Sequence, residues 1–441
     1  MARQLFGTDG VRGRAGHFLT ADLALALART AVARLEAERP QVLIIRDTRE
    51  SGEMLESAIA AGAAAAGGDA LLAGVLPTPA APLLVRRHGL DLAAVISASH
   101  NPYEDNGIKL FAADGFKLHD DTEHAIEAEL GTAPSPPAHI GRVRSFDGAH
   151  EDYLQALEKR FSGLSLAGLR VLLDCAHGAT FEVAPEIFRR LGADVDVIAD
   201  QPDGMNINQG CGSTHLDGVI ERVADGGYDV AFAFDGDGDR VLAVDRRGAV
   251  VDGDELIALA ALHLRYGARL PGNGVAVTVM TNYGFHQAMA DAGIEVAVTS
   301  VGDRYVLDEL RRRGWALGGE QSGHIIFSDY LFTGDGLCTA VNVLRTVLLT
   351  GRTLADLGSD LTTYPQVLLN VRVREKADLK SVPAIAAAIE RVESRTEGHG
   401  RLLVRYSGTE PLLRVMLEGK DQNEIRAWAQ EIVDVVKEHL G

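Results

Sequence analysis

Short apolar runs recur along this chain, each followed by a longer stretch whose apolar residues keep helical spacing. Runs of three to five residues rich in Val, Ile, Leu and Ala read as buried strands, and their alternation with helical stretches predicts βαβ units with parallel pairing. The layout repeats three times, at intervals of roughly 100 residues or more. First strands are predicted at residues 42–45, 171–173 and 275–279, and second strands at 70–72, 195–198 and 296–298. The third strand of each copy runs into a polar loop. Residues 93–96 lead to Ser97-Ala98-Ser99-His100-Asn101-Pro102, residues 230–234 lead to Asp235-Gly236-Asp237-Gly238-Asp239-Arg240, and the third copy gives Gly318-Gly319-Glu320-Gln321-Ser322-Gly323-His324. Beyond Tyr364-Pro365 the order changes to strand, helix, two strands and an amphipathic helix at 424–440. The expected fold class is α/β: three similar α/β domains with mixed, largely parallel sheets, plus a C-terminal α+β domain. The expected spans are residues 1–155, 156–255, 256–365 and 366–441. Ligands of open α/β sheets gather where strand ends open into a crevice, so the three loops are expected to share one cleft.

Composition narrows the function classes. A chain of 441 residues exceeds one hydrophobic core, and 46% hydrophobic with 24% charged residues suits a folded globular protein. A net charge of −19 disfavours non-specific nucleic-acid binding. Cys175, Cys211 and Cys338 are odd in number and form no Cys-x-x-Cys pair, which points away from disulfides and structural zinc and towards a reducing cytoplasm. The first ten residues lack an apolar signal core, and the Ala/Gly-rich stretch at 58–68 is too short to span a bilayer. No membrane association is expected.

The loops carry the chemistry. Asp235, Asp237 and Asp239 place three carboxylates on alternate residues between two strands, and these repel unless a cation sits among them. A hard ion such as Mg2+ takes oxygen ligands and keeps positions for phosphate oxygens. The alternative is a solvated acidic turn. An EF-hand is disfavoured, because its sixth and twelfth positions would hold Arg240 and Arg246 instead of Gly and Glu. Ser99 lies beside His100 without a Gly-x-Ser-x-Gly elbow, so a serine that carries a phosphoryl group beside a metal fits better than a hydrolase triad. Cations for an anionic substrate are available at Arg12, Lys109, Arg240, Arg405 and Arg414. The turn Arg405-Tyr406-Ser407-Gly408-Thr409-Glu410-Pro411 reads as a phosphate nest or as an ordinary polar hairpin. Neither a Walker A loop nor a Gly-x-Gly-x-x-Gly turn is present, so ATP and NAD are not signalled.

Those four loops, in this order and at domain-sized spacing, resemble the signature loops of the α-D-phosphohexomutases over nearly the whole chain. The resemblance implies four domains around a central cleft, a phosphoserine at Ser99, and Mg2+ held by Asp235, Asp237, Asp239 and a phosphate oxygen on Ser99. It further implies Glu320 and Ser322 on sugar hydroxyls, and Arg405, Ser407, Gly408, Thr409 and Arg414 around the non-reacting phosphate. Arg12, Lys109, Arg240 and His324 are the candidates for charge stabilisation or proton transfer. The segments 6–10, 206–215 and 301–306, with Gln321, resemble the amino-sugar branch of the family. That branch implies conversion of glucosamine 6-phosphate to glucosamine 1-phosphate through a 1,6-bisphosphate, which also serves as activator, in a cytoplasmic homodimer. The competing readings are a glucose or mannose phosphate mutase and a metal-dependent phosphatase.

Overall fold

The computed structural model describes residues 5–7, 9–132, 136–407 and 411–441. The chain folds as two compact units, one formed by Met1–Met280 with Ile294–Ser359 and the other by Thr281–Gly293 with Asp360–Gly441.

The first unit contains three sheets. The first joins β1 (Val11–Arg14), β2 (Gln41–Arg46), β3 (Asp69–Val75), β4 (Leu92–Ile96), β5 (Asp105–Ala112) and β6 (Val143–Ser145) in the order β1-β5-β4-β2-β3-β6. The second joins β7 (Arg170–Asp174), β8 (Asp194–Ile198), β9 (Val230–Phe234), β10 (Val241–Asp245) and β11 (Val250–Val251) in the order β11-β10-β9-β7-β8. The third joins β12 (Gly274–Thr278), β13 (Glu295–Thr299), β14 (Leu317–Gly319) and β15 (Ile325–Phe327) in the order β13-β12-β14-β15.

One motif underlies all three. The first strand of each copy (β2, β7, β12) lies between the second and third, parallel to both. The third strand (β4, β9, β14) then turns back and pairs antiparallel with its successor (β5, β10, β15). The sheets are therefore mixed and largely parallel, as the run-and-loop pattern predicts. Each chemistry-bearing loop is the connection across one of these antiparallel returns.

The Ala-rich helix Ser51–Ala65 packs along the helix Ala21–Ala33, and a Cβ on Gly62 would fall 2.3 Å from the Leu25 carbonyl. Small residues there allow close helix contact inside the core, which accounts for a stretch of membrane-like composition. No helix among the described residues is long and apolar enough to cross a membrane. All three cysteines are free and buried.

The second unit carries an antiparallel sheet of β16 (Gln366–Arg372), β17 (Gly400–Tyr406) and β18 (Leu412–Gly419) in the order β16-β18-β17. The helices Pro383–Thr396 and Gln422–Leu440 contribute Ile385, Val392, Ile432 and Val436 to a core shared with Val367, Leu413, Val415 and Leu417 of the sheet. The segment Thr281–Gly293 belongs here because Glu418 accepts the Tyr283 N–H at 3.0 Å and Asn282 Nδ2 donates to the Tyr364 carbonyl at 2.9 Å.

Candidate active site

The β4–β5 loop holds Ser99 with a left-handed backbone, φ 55°, which a non-glycine residue adopts only when its surroundings enforce it. Two side chains do so. Arg49, fully buried and ion-paired with Asp47, donates through Nη2 to the carbonyls of Ser99 (3.1 Å) and Asn101 (2.6 Å). Asn208 Nδ2 donates to the same two carbonyls at 3.0 and 3.1 Å. The Ser99 N–H is satisfied by Ser97 Oγ at 2.9 Å. The hydroxyl is thereby aimed at the β9–β10 loop, where it donates to Asp235 Oδ2 at 2.5 Å.

That second loop buries all three aspartates, with relative exposures of 1%, 1% and 5% for Asp235, Asp237 and Asp239. One carboxylate oxygen from each lies within 4.8 Å of the others. Lys109 Nζ contacts Asp237 Oδ2 at 2.8 Å, Asp9 at 3.1 Å and Asp239 at 3.6 Å, and Thr78 Oγ1 donates to Asp237 at 2.6 Å. Asp237 Oδ1 has no hydrogen-bond partner among the described residues despite its burial. Burial, then Asp239 and Asp237, push the Asp235 carboxyl well above the usual range. Burial acts the same way on Asp239, but the nearby ammonium of Lys109 outweighs it and holds that group low. An all-oxygen donor set with an orphaned buried carboxylate oxygen fits a hard divalent cation. The solvated-turn alternative does not survive the burial.

Beside the aspartates opens a cavity of about 400 Å³ lined by Asp9, Arg12, Asp239, Arg240, Asp303, Glu320 and His324 among others. Arg12 sits opposite Gly107 in the β1–β5 register and donates to the Ala98 carbonyl at 3.2 Å. The buried Nε–H groups of Arg12 and Arg240 make no hydrogen bond among the described residues, which leaves donor capacity for an anion. Arg240 Nη1 faces His100 Nδ1 at 3.1 Å, so that nitrogen carries a lone pair. Burial, then Arg240 and Arg12, accordingly lower the His100 pKa to about 4. His324 Nε2 accepts the Gly334 N–H at 2.9 Å, leaving Nδ1–H towards Asp239 Oδ1 at 3.5 Å. Burial opposes a charge on His324 while Asp239 and Asp303 favour it, but the Gly334 contact requires the neutral ring.

The structure thus brings together Ser99, Arg12, Lys109, Arg240, Glu320, His324 and the three aspartates. Glu320 is fixed by the Gly302 N–H at 3.0 Å, whereas Ser322 is exposed and does not line the cavity. In the second unit Arg405 and Arg414 are directly opposed across β17 and β18, and burial and Arg414 lower the Arg405 pKa. Ser407 closes the hairpin through its N–H to the Leu412 carbonyl at 2.8 Å, and Lys376 Nζ donates to the Ser407 carbonyl at 2.6 Å. Such a concentration of positive charge suits an anion. Gly408 and Thr409 lie outside the described residues.

Residue-by-residue reading of the sequence missed Arg49, Thr78, Asn208, Asp9, Lys117 and Asp303. Lys117 bridges the last pair of carboxylates, contacting Asp303 Oδ2 at 2.6 Å and ion-pairing with Asp9. Asp9, Asp303 and Asn208 lie inside segments 6–10, 301–306 and 206–215, which carried a resemblance but no assigned chemistry.

Four family models match the chain in order: Phosphoglucomutase/phosphomannomutase, alpha/beta/alpha domain I over residues 3–135, domain II over 151–248, domain III over 252–364, and the C-terminal domain over 368–435. A curated relative from Desulforudis audaxviator, a phosphoglucosamine mutase, is 49% identical over 445 residues, covering 98% of each chain. Among solved structures, a phosphoglucomutase/phosphomannomutase family protein from Burkholderia thailandensis superposes with a TM-score of 0.82 at 24% identity, covering 98% of this chain and 97% of that one. The N-acetylphosphoglucosamine mutase of Aspergillus fumigatus, solved with GlcNAc-6P and magnesium, gives a TM-score of 0.66 at 18% identity, covering 99% of this chain and 96% of that one. By these matches over its whole length, the chain belongs to the phosphoglucomutase/phosphomannomutase family of phosphohexomutase enzymes.

Proposed function

We propose that this enzyme interconverts glucosamine 6-phosphate and glucosamine 1-phosphate, with Ser99 as the phosphoryl carrier. The observation that carries the reading is the Ser99 hydroxyl, held in a left-handed loop and aimed at the buried aspartates from 2.5 Å. Asp235, Asp237 and Asp239 would hold Mg2+, which supplies positive charge against the transferring phosphoryl group. Phospho-Ser99 gives its group to O1 of the substrate: the P–Oγ bond breaks, a P–O1 bond forms, and the O1 proton ends on the freed Ser99 Oγ. The resulting 1,6-bisphosphate turns end for end, its 6-phosphoryl group returns to Ser99, and the 1-phosphate departs. A sugar 1,6-bisphosphate also charges Ser99 at the outset.

The chain's own groups divide the remaining work. Arg12 and Arg240 stay charged and offer donors to phosphate oxygens. Lys109 stays charged because Asp237, Asp9 and Asp239 overcome the effect of its burial. His324 Nε2 accepts the Gly334 N–H, so the neutral ring has no free lone pair for the sugar's proton, and its Nδ1 faces Asp239 Oδ1 at 3.5 Å. Glu320 addresses the sugar, and within the second unit Arg405, Ser407 and Arg414 offer binding capacity for a phosphate group. The amino-sugar assignment draws on the curated relatives, 45–49% identical over nearly the full chain and named phosphoglucosamine mutase.

The test is 31P NMR of the enzyme with Mg2+, a trace of glucose 1,6-bisphosphate, and glucosamine 6-phosphate in competition with glucose 6-phosphate. Faster growth of glucosamine 1-phosphate without free phosphate is expected. Faster glucose 1-phosphate would move the enzyme to a neutral-sugar mutase, and accumulating free phosphate would make it a phosphatase.

A further inference from the structure

The loop that supplies Glu320 and His324 to the cavity turns the side chain of Gln321 elsewhere. Gln321 Nε2 donates to Asp252 Oδ2 at 3.0 Å, and because a carboxylate only accepts, the amide orientation is determined. The other oxygen of Asp252 caps the helix Gly253–Tyr266 by accepting the N–H groups of Asp254 (3.0 Å) and Glu255 (3.2 Å). One residue on, the Gly253 N–H donates to the Gln321 carbonyl at 3.0 Å. A Cβ on Gly253 would fall 2.1 Å from the Glu320 carbonyl and 2.7 Å from the Gly323 nitrogen. The loop therefore rests on bare backbone at the start of this helix, tied to it once by main chain and once by the Gln321 amide, and is tied on its other side by the Val241 N–H to the Gly323 carbonyl at 3.2 Å. Glu320 is the preceding residue, its carboxylate held by the Gly302 N–H at 3.0 Å, so the seat of Gln321 sets the backbone from which Glu320 reaches the cavity lining.

We propose that Gln321 is a positioning residue that selects among sugar phosphates by fixing where the loop holds Glu320, through Asp252 and without touching the sugar. This rests on the reading of the cavity as a sugar-phosphate site. A glutamate at this position would set two carboxylates against each other and lift the loop, whereas reversing donor and acceptor would seat it again. Asparagine caps helices as well as aspartate, so Asp252→Asn keeps the helix start.

The experiment measures kcat, KM and the amino-to-neutral sugar turnover ratio for Gln321→Glu, Gln321→Met, Asp252→Asn and the Gln321→Glu/Asp252→Asn double variant, with thermal unfolding as a check on folding. Gln321→Glu is expected to raise KM about tenfold and to change the ratio, the size of one charge-assisted hydrogen bond. Gln321→Met, which loses the bond without repulsion, should fall between it and the parent, and the double variant should restore both quantities. A double variant as impaired as Gln321→Glu, a Met variant worse than the Glu variant, or a Glu variant equal to the parent would each overturn the proposal. A parent inactive on glucosamine 6-phosphate would instead refute the assigned substrate, and the swap would still be readable on glucose 6-phosphate.

Discussion

At the scale of single residues, the proposed reaction depends on a serine held in a conformation that its own side chain disfavours. A left-handed non-glycine backbone costs about 1–2 kcal/mol, and at Ser99 the carbonyl bonds from Arg49 and Asn208 offset it. Asn208→Ala removes one donor from each of the two carbonyls. It should cost about 1–3 kcal/mol of stability and lower kcat at least about tenfold, with KM for the sugar phosphate little changed. Steady-state kinetics beside thermal unfolding check this, and a destabilised variant with unaltered kcat would reduce Asn208 to a packing residue. The clustering of the three aspartates was legible because its chemistry is local: three carboxylates on alternate residues call for a cation whatever surrounds them. Asn208 and Arg49 were not, since an amide or guanidinium gains its role only from the carbonyls that a distant strand order brings beside it.

At the scale of elements, one strand–turn–strand return is used three times, and its loops meet backbone to backbone. A Cβ on Gly178 would lie 2.4 Å from the Gly236 carbonyl, and one on Gly236 would lie 2.6 Å from the Ser99 carbonyl. Gly178→Ala therefore pushes the backbone of the aspartate loop towards the serine loop without replacing any of the three aspartates or Ser99. It should destabilise the enzyme by about 1–3 kcal/mol and raise the Mg2+ concentration for half-maximal activity several-fold. Gly218→Ala, where a Cβ meets nothing within 4 Å, is the matched control and should leave the Mg2+ dependence unchanged. A magnesium titration of both variants decides it. Apolar runs and their spacing predicted the repeat and the parallel pairs, because buried strands need those runs. The placing of β1 beside β5, which carries Arg12 to the serine loop, follows from edge pairing that four residues of mixed polarity do not announce.

At the scale of the whole molecule, charge is unevenly distributed between surface and interior. Asp335 is buried at the start of the helix Gly336–Thr350, accepting the Cys338 N–H at 2.9 Å and the Tyr153 hydroxyl at 3.1 Å. Burial raises its pKa to about 6 against those hydrogen bonds. The folded state thus binds this proton more tightly than the unfolded state, so the group favours folding below its unfolded pKa and loses that contribution as pH rises through 6. Asp335→Asn, which cannot ionise, should be more stable than the parent by about 2 kcal/mol above pH 6, and the gain should vanish as pH falls towards 4. Unfolding midpoints of both proteins across that range check the sign. The role of Ser99 as phosphoryl carrier is tested most directly by a single turnover. Enzyme carrying 32P-phosphate on Ser99 is mixed with one equivalent of glucosamine 6-phosphate and Mg2+, then quenched and resolved into protein, sugar phosphates and inorganic phosphate. Label leaving Ser99 in step with its arrival in a sugar bisphosphate is the predicted result. Conversion of the sugar phosphate with the label still on the protein, or release of the label as inorganic phosphate, would contradict it.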